Sequence, residues 1–216
     1  MVKFLETLAQ AAAFLGLARR QWGAESEVYE DPETGLTFAS FTTNRDVTVR
    51  IAIPDQIPDD NVFDTVIQIL APKSVGWFGW AWGGHMTYNP LAIAWLNGTS
   101  NVVLSPRIAY GYFSPPEHLE SSYTVLKAGT FINETHWQVT AKASGVSRWG
   151  DEWIGYTDLV TDSETTFAYA WSDWPVDVPE DAASTFMIHQ GLGHPVFDLR
   201  TAKNEDFDAK VEALLE

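Results

Sequence analysis

Short runs of alternating apolar and polar residues recur along this chain between Gly, Pro, Asn and Asp clusters, and that rhythm restricts it to a β architecture. Val47, Val49, Ile51 and Ile53 show it most clearly, because a period of two puts all four on one face of a strand. The same reading predicts strands over residues 36–43, 47–53, 62–70, 75–82, 91–96, 102–104, 108–113, 123–127, 137–143 and 165–171. A short extended piece is expected at 186–189. Asp31-Pro32-Glu33-Thr34-Gly35, Asn44-Arg45-Asp46 and the hairpin signal Asn97-Gly98 are turns. Residues 57–61, 144–151, 175–181 and 191–195 read as loops or turns. Only 205–215 has helical spacing, through Phe207, Val211, Leu214 and Leu215. No repeat or linker interrupts the 216 residues, so a single β-sandwich or barrel domain over 21–216 is expected, with a short C-terminal helix.

The stretch 75–82 departs from simple alternation. Trp77, Phe78, Trp80 and Trp82 make it apolar on both faces, as in a strand that is buried on two sides or lines a pocket. Gly83-Gly84 then breaks the strand, and His85-Met86 follow. Ten Trp, seven Tyr and twelve Phe suit either a packed sandwich core or a flat apolar ligand, a porphyrin or a sugar ring.

Several function classes are excluded. A formal net charge of −16 argues against nucleic acid and anionic membrane surfaces, and no stretch is long and apolar enough to span a bilayer. Without cysteine there is no disulfide, no thiolate metal site and no covalent c-type haem attachment. Phosphate-loop, G-x-S-x-G and H-E-x-x-H motifs are absent. The histidines His85, His118, His136, His189 and His194 are not spaced for a local multi-His metal site, and the methionines are Met1, Met86 and Met187.

The first residues, 1–20, read as a secretory signal or pro-segment: Lys3 precedes a largely apolar run, Ala18 stands near a cleavage point, and Arg19-Arg20 offers a processing site. The alternative is a short amphipathic helix belonging to the fold. The triplets Asn97-Gly98-Thr99 and Asn133-Glu134-Thr135 are glycosylation sequons and agree with export. A secreted, acidic, Trp-rich sandwich also fits a carbohydrate-binding module, with Trp149, Trp153 and Trp174 near predicted loops.

Two segments carry a resemblance. Trp80-Ala81-Trp82-Gly83-Gly84-His85-Met86, followed by Leu91-Ala92-Ile93-Ala94-Trp95-Leu96-Asn97-Gly98, resembles the haem-binding strand region of the cytochrome domain of fungal cellobiose dehydrogenases. Ser184-Thr185-Phe186-Met187-Ile188-His189 is similar to that family's Ser-Thr-Phe-x-x-His, and Thr135-His136-Trp137 to a segment without ligand duty. The likeness runs from about Tyr29 to about Thr201.

It implies an immunoglobulin-like antiparallel β-sandwich, DOMON-like, with one non-covalent haem b held at one end. Met86 and His189 are then its axial ligands, and Trp82, Gly83, Gly84 and Met187 stand around it. It also implies a role carrying single electrons from a flavin dehydrogenase to an acceptor such as a copper polysaccharide monooxygenase, near polysaccharide and outside the cell, rather than independent catalysis. The chain departs from the family pattern in lacking its usual disulfide, and no flavin, membrane cytochrome or cellulose-binding domain is expected on it. If residues 85–86 are extended, His85 and Met86 face opposite ways, whereas Met187 and His189 share a face.

Overall fold

The computed structural model describes residues 24–153 and 155–215, so the expected leader at 1–20 lies outside the described residues. Two antiparallel sheets pack face to face. The larger contains β1 (Glu27–Glu30), β2 (Thr37–Thr42), β3 (Thr48–Pro54), β4 (Thr65–Pro72), β9 (His136–Ser144) and β8 (Ser122–Ile132) in that spatial order. A two-residue strand, β16 (Lys203–Asn204), joins its β3 in parallel. The smaller runs β14 (Gly191–Gly193), β13 (Ala168–Ser172), β5 (Trp77–Ala81), β6 (Pro90–Asn97), β7 (Asn101–Ile108). Two hairpin-sized pairs complete it: β10 (Arg148–Asp151) with β11 (Gly155–Asp158), and β12 (Glu164–Thr166) with β15 (Val196–Asp198).

Period-two alternation fills the space between the sheets. Val49, Ile51, Ile53, Ile67, Ile69 and Val139 from the large sheet meet Phe78, Trp80, Ala92, Ala94 and Tyr169 from the small one. The outer face of the large sheet is covered by α1 (Phe207–Leu215), whose Phe207 and Val211, four apart, seat on Phe38, Ala52, Val66 and Leu126. The all-β sandwich and the C-terminal helix are thus as the patterning predicted.

The chain end is buttoned to the sheet by one buried amide. Asn204 Oδ1 accepts from the Thr37 amide at 2.8 Å, while its Nδ2 donates to the carbonyls of Thr37 at 2.8 Å and Ala202 at 2.9 Å. Asn204→Ala leaves three main-chain groups unpaired and should cost about 2 kcal/mol in urea unfolding.

Several predicted elements are redrawn. The two strands expected at 102–104 and 108–113 are one, β7, ending at Ile108; Pro106 fits because β7 lies at the sheet edge, where a missing N–H is tolerated. The strand expected at 165–171 is two, split at Phe167 between different sheets. The loop at 144–151 ends in β10, 191–195 begins with β14, and 186–189 carries no strand. Strand β8 continues beyond Lys127 through a register shift, where Gly129 sits at φ +70.

Candidate functional site

The pairing register of the small sheet builds a trough on its outer face. One cross-strand row reads Ala168, Ala81, Leu91 and Arg107; the next reads Leu192, Ala170, Gly79, Ile93 and Ser105. Four small residues thus lie side by side in mid-sheet. A Cβ at Gly79 would press on Ile93 Cδ1 at 2.9 Å, so the floor is as low as this sheet permits. The intervening residues Phe78, Trp80 and Tyr169 point the other way, into the core. Alternation therefore explains the doubly apolar stretch: its Trp80 and Trp82 feed the sandwich, and its Trp77, Gly79 and Ala81 face the trough.

Two irregular segments rise over this floor. The first, 82–89, is a series of turns carrying His85 and Met86; the main chain of Tyr88, at φ 60, donates to Ala109 at 2.8 Å. The second, 184–190, crosses the sheet as an extended strap. Phe186 packs against Trp77 with ring centroids 4.6 Å apart and the planes tilted by 45°, and the Gln190 amide donates to the Trp171 carbonyl at 2.8 Å.

Arg107 fastens the other end of the strap. Its guanidinium is 2% exposed and donates to the carbonyls of Ala182 at 2.6 Å, Ser184 at 2.8 Å and Pro115 at 2.6 Å, while Nε reaches Ser105 Oγ at 2.7 Å. One buried cation therefore ties both the strap and the 110–116 loop to β7. Burial pushes its pKa below the ordinary arginine value, with Glu117 and Asp181 opposing.

Between the walls lie two adjoining clefts of about 300 Å³ and 180 Å³. They share Trp77, Met86, Tyr112, Pro115, Phe186 and His189. Neither is lined by Asp, Glu, Lys or Arg, so in a chain of net charge −16 this cleft is a neutral island. Its polar side chains include the imidazoles of His85, His189 and His194, the hydroxyl of Tyr112, and Ser114. Its rim is unusually apolar for a surface: Tyr112 is 92% exposed, Ile188 73%, and Phe113, Met187 and Leu192 more than half. A floor of small residues, aromatic walls, a lining without carboxylate, lysine or arginine, and an uncovered apolar rim fit a flat apolar ring system with two neutral metal ligands. The residues present therefore fit a haem.

The structure brings Met86, Met187 and His189 to this cleft, Met86 half-buried and Met187 at the rim. Gly83 and Gly84 form the turn that delivers Met86: Gly84 has φ +79, and a Cβ there would meet the Thr166 carbonyl oxygen at 2.8 Å. Trp82 is not brought there; it is 1% exposed in the inter-sheet core, and its indole donates to Tyr123 Oη at 3.0 Å. Burial there raises the Tyr123 hydroxyl above its ordinary pKa. The opposition of His85 and Met86 does not hold either, since 82–89 is not a strand and both side chains line the larger cleft. The cleft lies on the outer face of the small sheet. Arg107, His194 and the aromatic rim were missed; the charge of Arg107 between Pro106 and Ile108 was the available signal.

The family model described as the cytochrome domain of cellobiose dehydrogenase matches residues 29–209. The pyrroloquinoline quinone-dependent pyranose dehydrogenase of Coprinopsis cinerea is 28% identical over 96% of this chain, which spans only 28% of that protein's length. Among solved structures, the cytochrome b domain of Coprinopsis cinerea pyranose dehydrogenase superposes with TM-score 0.76 at 23% identity, covering 88% of this chain and 95% of that one. The cytochrome domain of Myriococcum thermophilum cellobiose dehydrogenase superposes with TM-score 0.73 at 19% identity, covering 88% and 97%. At those identities the two structures speak for the fold, and the sequence match speaks for the family. Since that match takes in most of the chain, the protein belongs to the cytochrome-domain family of cellobiose dehydrogenase.

Proposed function

We propose that this domain carries single electrons on one non-covalent haem b, held in the cleft with Met86 and His189 as its axial ligands. The observation that carries the reading is that these two side chains, far apart in sequence, line the same neutral cleft. When bound, the group supplies a one-electron ferric/ferrous couple. A thioether and an imidazole are both neutral, and Met/His ligation raises the potential of haem iron. Trp77, Leu91 and Phe186 wall the site and exclude water, and the hydroxyl of Tyr112 with the imidazoles of His85 and His194 offers donors to carboxylate groups at its mouth.

The test is a spectrum. Protein reconstituted with haemin is expected to show a sharp Soret band and, once reduced, split visible bands of a six-coordinate low-spin haem. A colourless protein that takes up no haemin would refute the reading.

The electron donor in this reading is a sugar-oxidising dehydrogenase unit, flavin- or quinone-dependent, and the acceptor a copper polysaccharide monooxygenase. The domain over 21–216 is exported behind a leader at 1–20 and glycosylated at Asn97 and Asn133. Asn133 stands exposed at the turn between β8 and β9, and Asn97 closes β6 at the hairpin. A carbohydrate-binding module is disfavoured by its own tryptophans. Trp149 is buried, Trp153 stands at the β10–β11 turn beyond the end of β5, and Trp174 packs beside Gly76 before its start. They share no platform for a sugar chain.

A further inference from the structure

We infer that Asn89 is the positioning residue that aims Met86, and that Gly83 is glycine to make room for it; the inference rests on the ligand role proposed for Met86. Asn89 is buried beneath the turn series, 4% exposed. Its Nδ2 donates to the His85 carbonyl at 3.1 Å and the Thr87 carbonyl at 2.9 Å, the two main-chain groups that flank Met86. Its Oδ1 accepts from the indole of Trp149 at 3.2 Å. Partner chemistry settles the amide orientation, since an indole N–H only donates and a carbonyl only accepts.

The result is a clasp with the candidate ligand at its centre. Segment 82–89 has no strand pairing of its own beyond the isolated bridge of Thr87 to Ala109, and the Trp82 amide meets the Pro90 carbonyl at 3.1 Å to close the loop. Within that closure, Asn89 supplies side-chain bonds to both neighbours of Met86. Trp149, 6% exposed and fixed in the main core, anchors the clasp to the sandwich. A Cβ on Gly83 would overlap Asn89 Oδ1 and press against the Trp149 ring at 2.9 Å. The Gly83 backbone thus lies directly over the clasp. This gives a physical reason for glycine at a position whose own φ lies outside the left-handed region.

Metal ligands held by a fixed supporting shell lose about ten- to a hundred-fold in affinity when that shell is removed. A loosened Met86 therefore detaches first, leaving a haem held by His189 alone. The experiment compares wild type, Asn89→Ala, Asn89→Asp and Gly83→Ala after reconstitution with haemin. Folding is checked by circular dichroism and haem content by pyridine extraction. Readouts are the ferric charge-transfer band of a thioether–iron bond, the midpoint potential, and the rate at which added imidazole enters the sixth position.

All three variants are expected to keep the fold and the haem, to weaken or lose the thioether band, to shift the potential downward, and to bind imidazole about ten-fold faster or more. If Asn89→Ala takes up no haem, Trp149→Phe decides, because it removes one donor and leaves both carbonyl bonds. A weakened band at unchanged haem content is expected there, and an unchanged band overturns the inference. Asn89 variants with the band and potential of wild type overturn the positioning role while leaving the ligand role intact. A haem-loaded wild type with no thioether band overturns both.

Discussion

His189→Ala is expected to abolish the low-spin haem spectrum, whereas Met86→His keeps a six-coordinate low-spin centre at lower potential. The asymmetry follows from the ligands. Imidazole is the stronger donor of the two, so its removal leaves iron with only a weak thioether partner and a high-spin or empty cleft. Replacing the thioether with a second imidazole retains coordination number but stabilises the ferric state. His85 and His194 line the same cleft from other segments, the 82–89 turns and the chain after β14, not from the strap that carries His189. They are not expected to rescue His189→Ala, and His85→Ala and His194→Ala should retain the low-spin spectrum. Met187 tests the other axis. It lies at the rim, two residues from His189 and on the same strap, so Met187→Leu should leave a thioether band untouched while Met86→Leu removes it. Oxidised and reduced spectra with potentiometric titration check all of these. Unaltered spectra in both His189→Ala and Met86→His would end the ligand assignment.

The second large effect is on the strap. Arg107→Ala should destabilise the domain by roughly 3–4 kcal/mol, because it strands the buried Pro115 and Ser184 carbonyls, leaves the Ala182 carbonyl with only Ser105 Oγ, and opens a cavity. For a domain of this size that lowers Tm by about 10 °C. Arg107→Lys should recover little of it, since an ammonium on a flexible stem cannot span carbonyls on two separate segments as a planar fork does. The cleft should suffer more than the fold. Pro115 on one wall and Ser184 at the root of the other are fixed by the same guanidinium, so its loss frees both. Haem retention in a gel-filtration transfer assay is expected to fall even at temperatures where circular dichroism still reports a folded sandwich. No pH dependence is expected from Arg107: burial lowers its pKa, but an arginine stays protonated through the range in which the protein is handled. A melting curve unchanged by Arg107→Ala would show that the strap is held by Phe186 on Trp77 and by Gln190 instead.

Sequence legibility divides along physical lines. Strands whose apolar residues alternate against one core were read nearly to the residue, as with β3 and with β6 up to its turn at Asn97-Gly98. The reading failed where the backbone leaves regular structure: alternation was applied to His85 and Met86, which sit in turns, and to 165–171, where Phe167 carries the chain from one sheet to another. Trp82 was expected beside the cofactor from the motif it stands in, not from alternation. Its sequence neighbourhood is that of the site, but its side chain points to the other side of the sheet.

The resemblance of two short motifs to a known family pointed to Met86 and His189, whereas local pattern alone gave the β class, the core face of each regular strand and the terminal helix. These are properties that a few consecutive residues carry in themselves, through periodicity and turn chemistry. Tertiary structure alone decided that those two side chains line one cleft, that the cleft lies on the outer face of the small sheet, and that Arg107 and Asn89 hold its walls. Each of those facts depends on register between strands distant in sequence and on buried polar groups finding main-chain partners across loops, and no local pattern encodes where such partners will be.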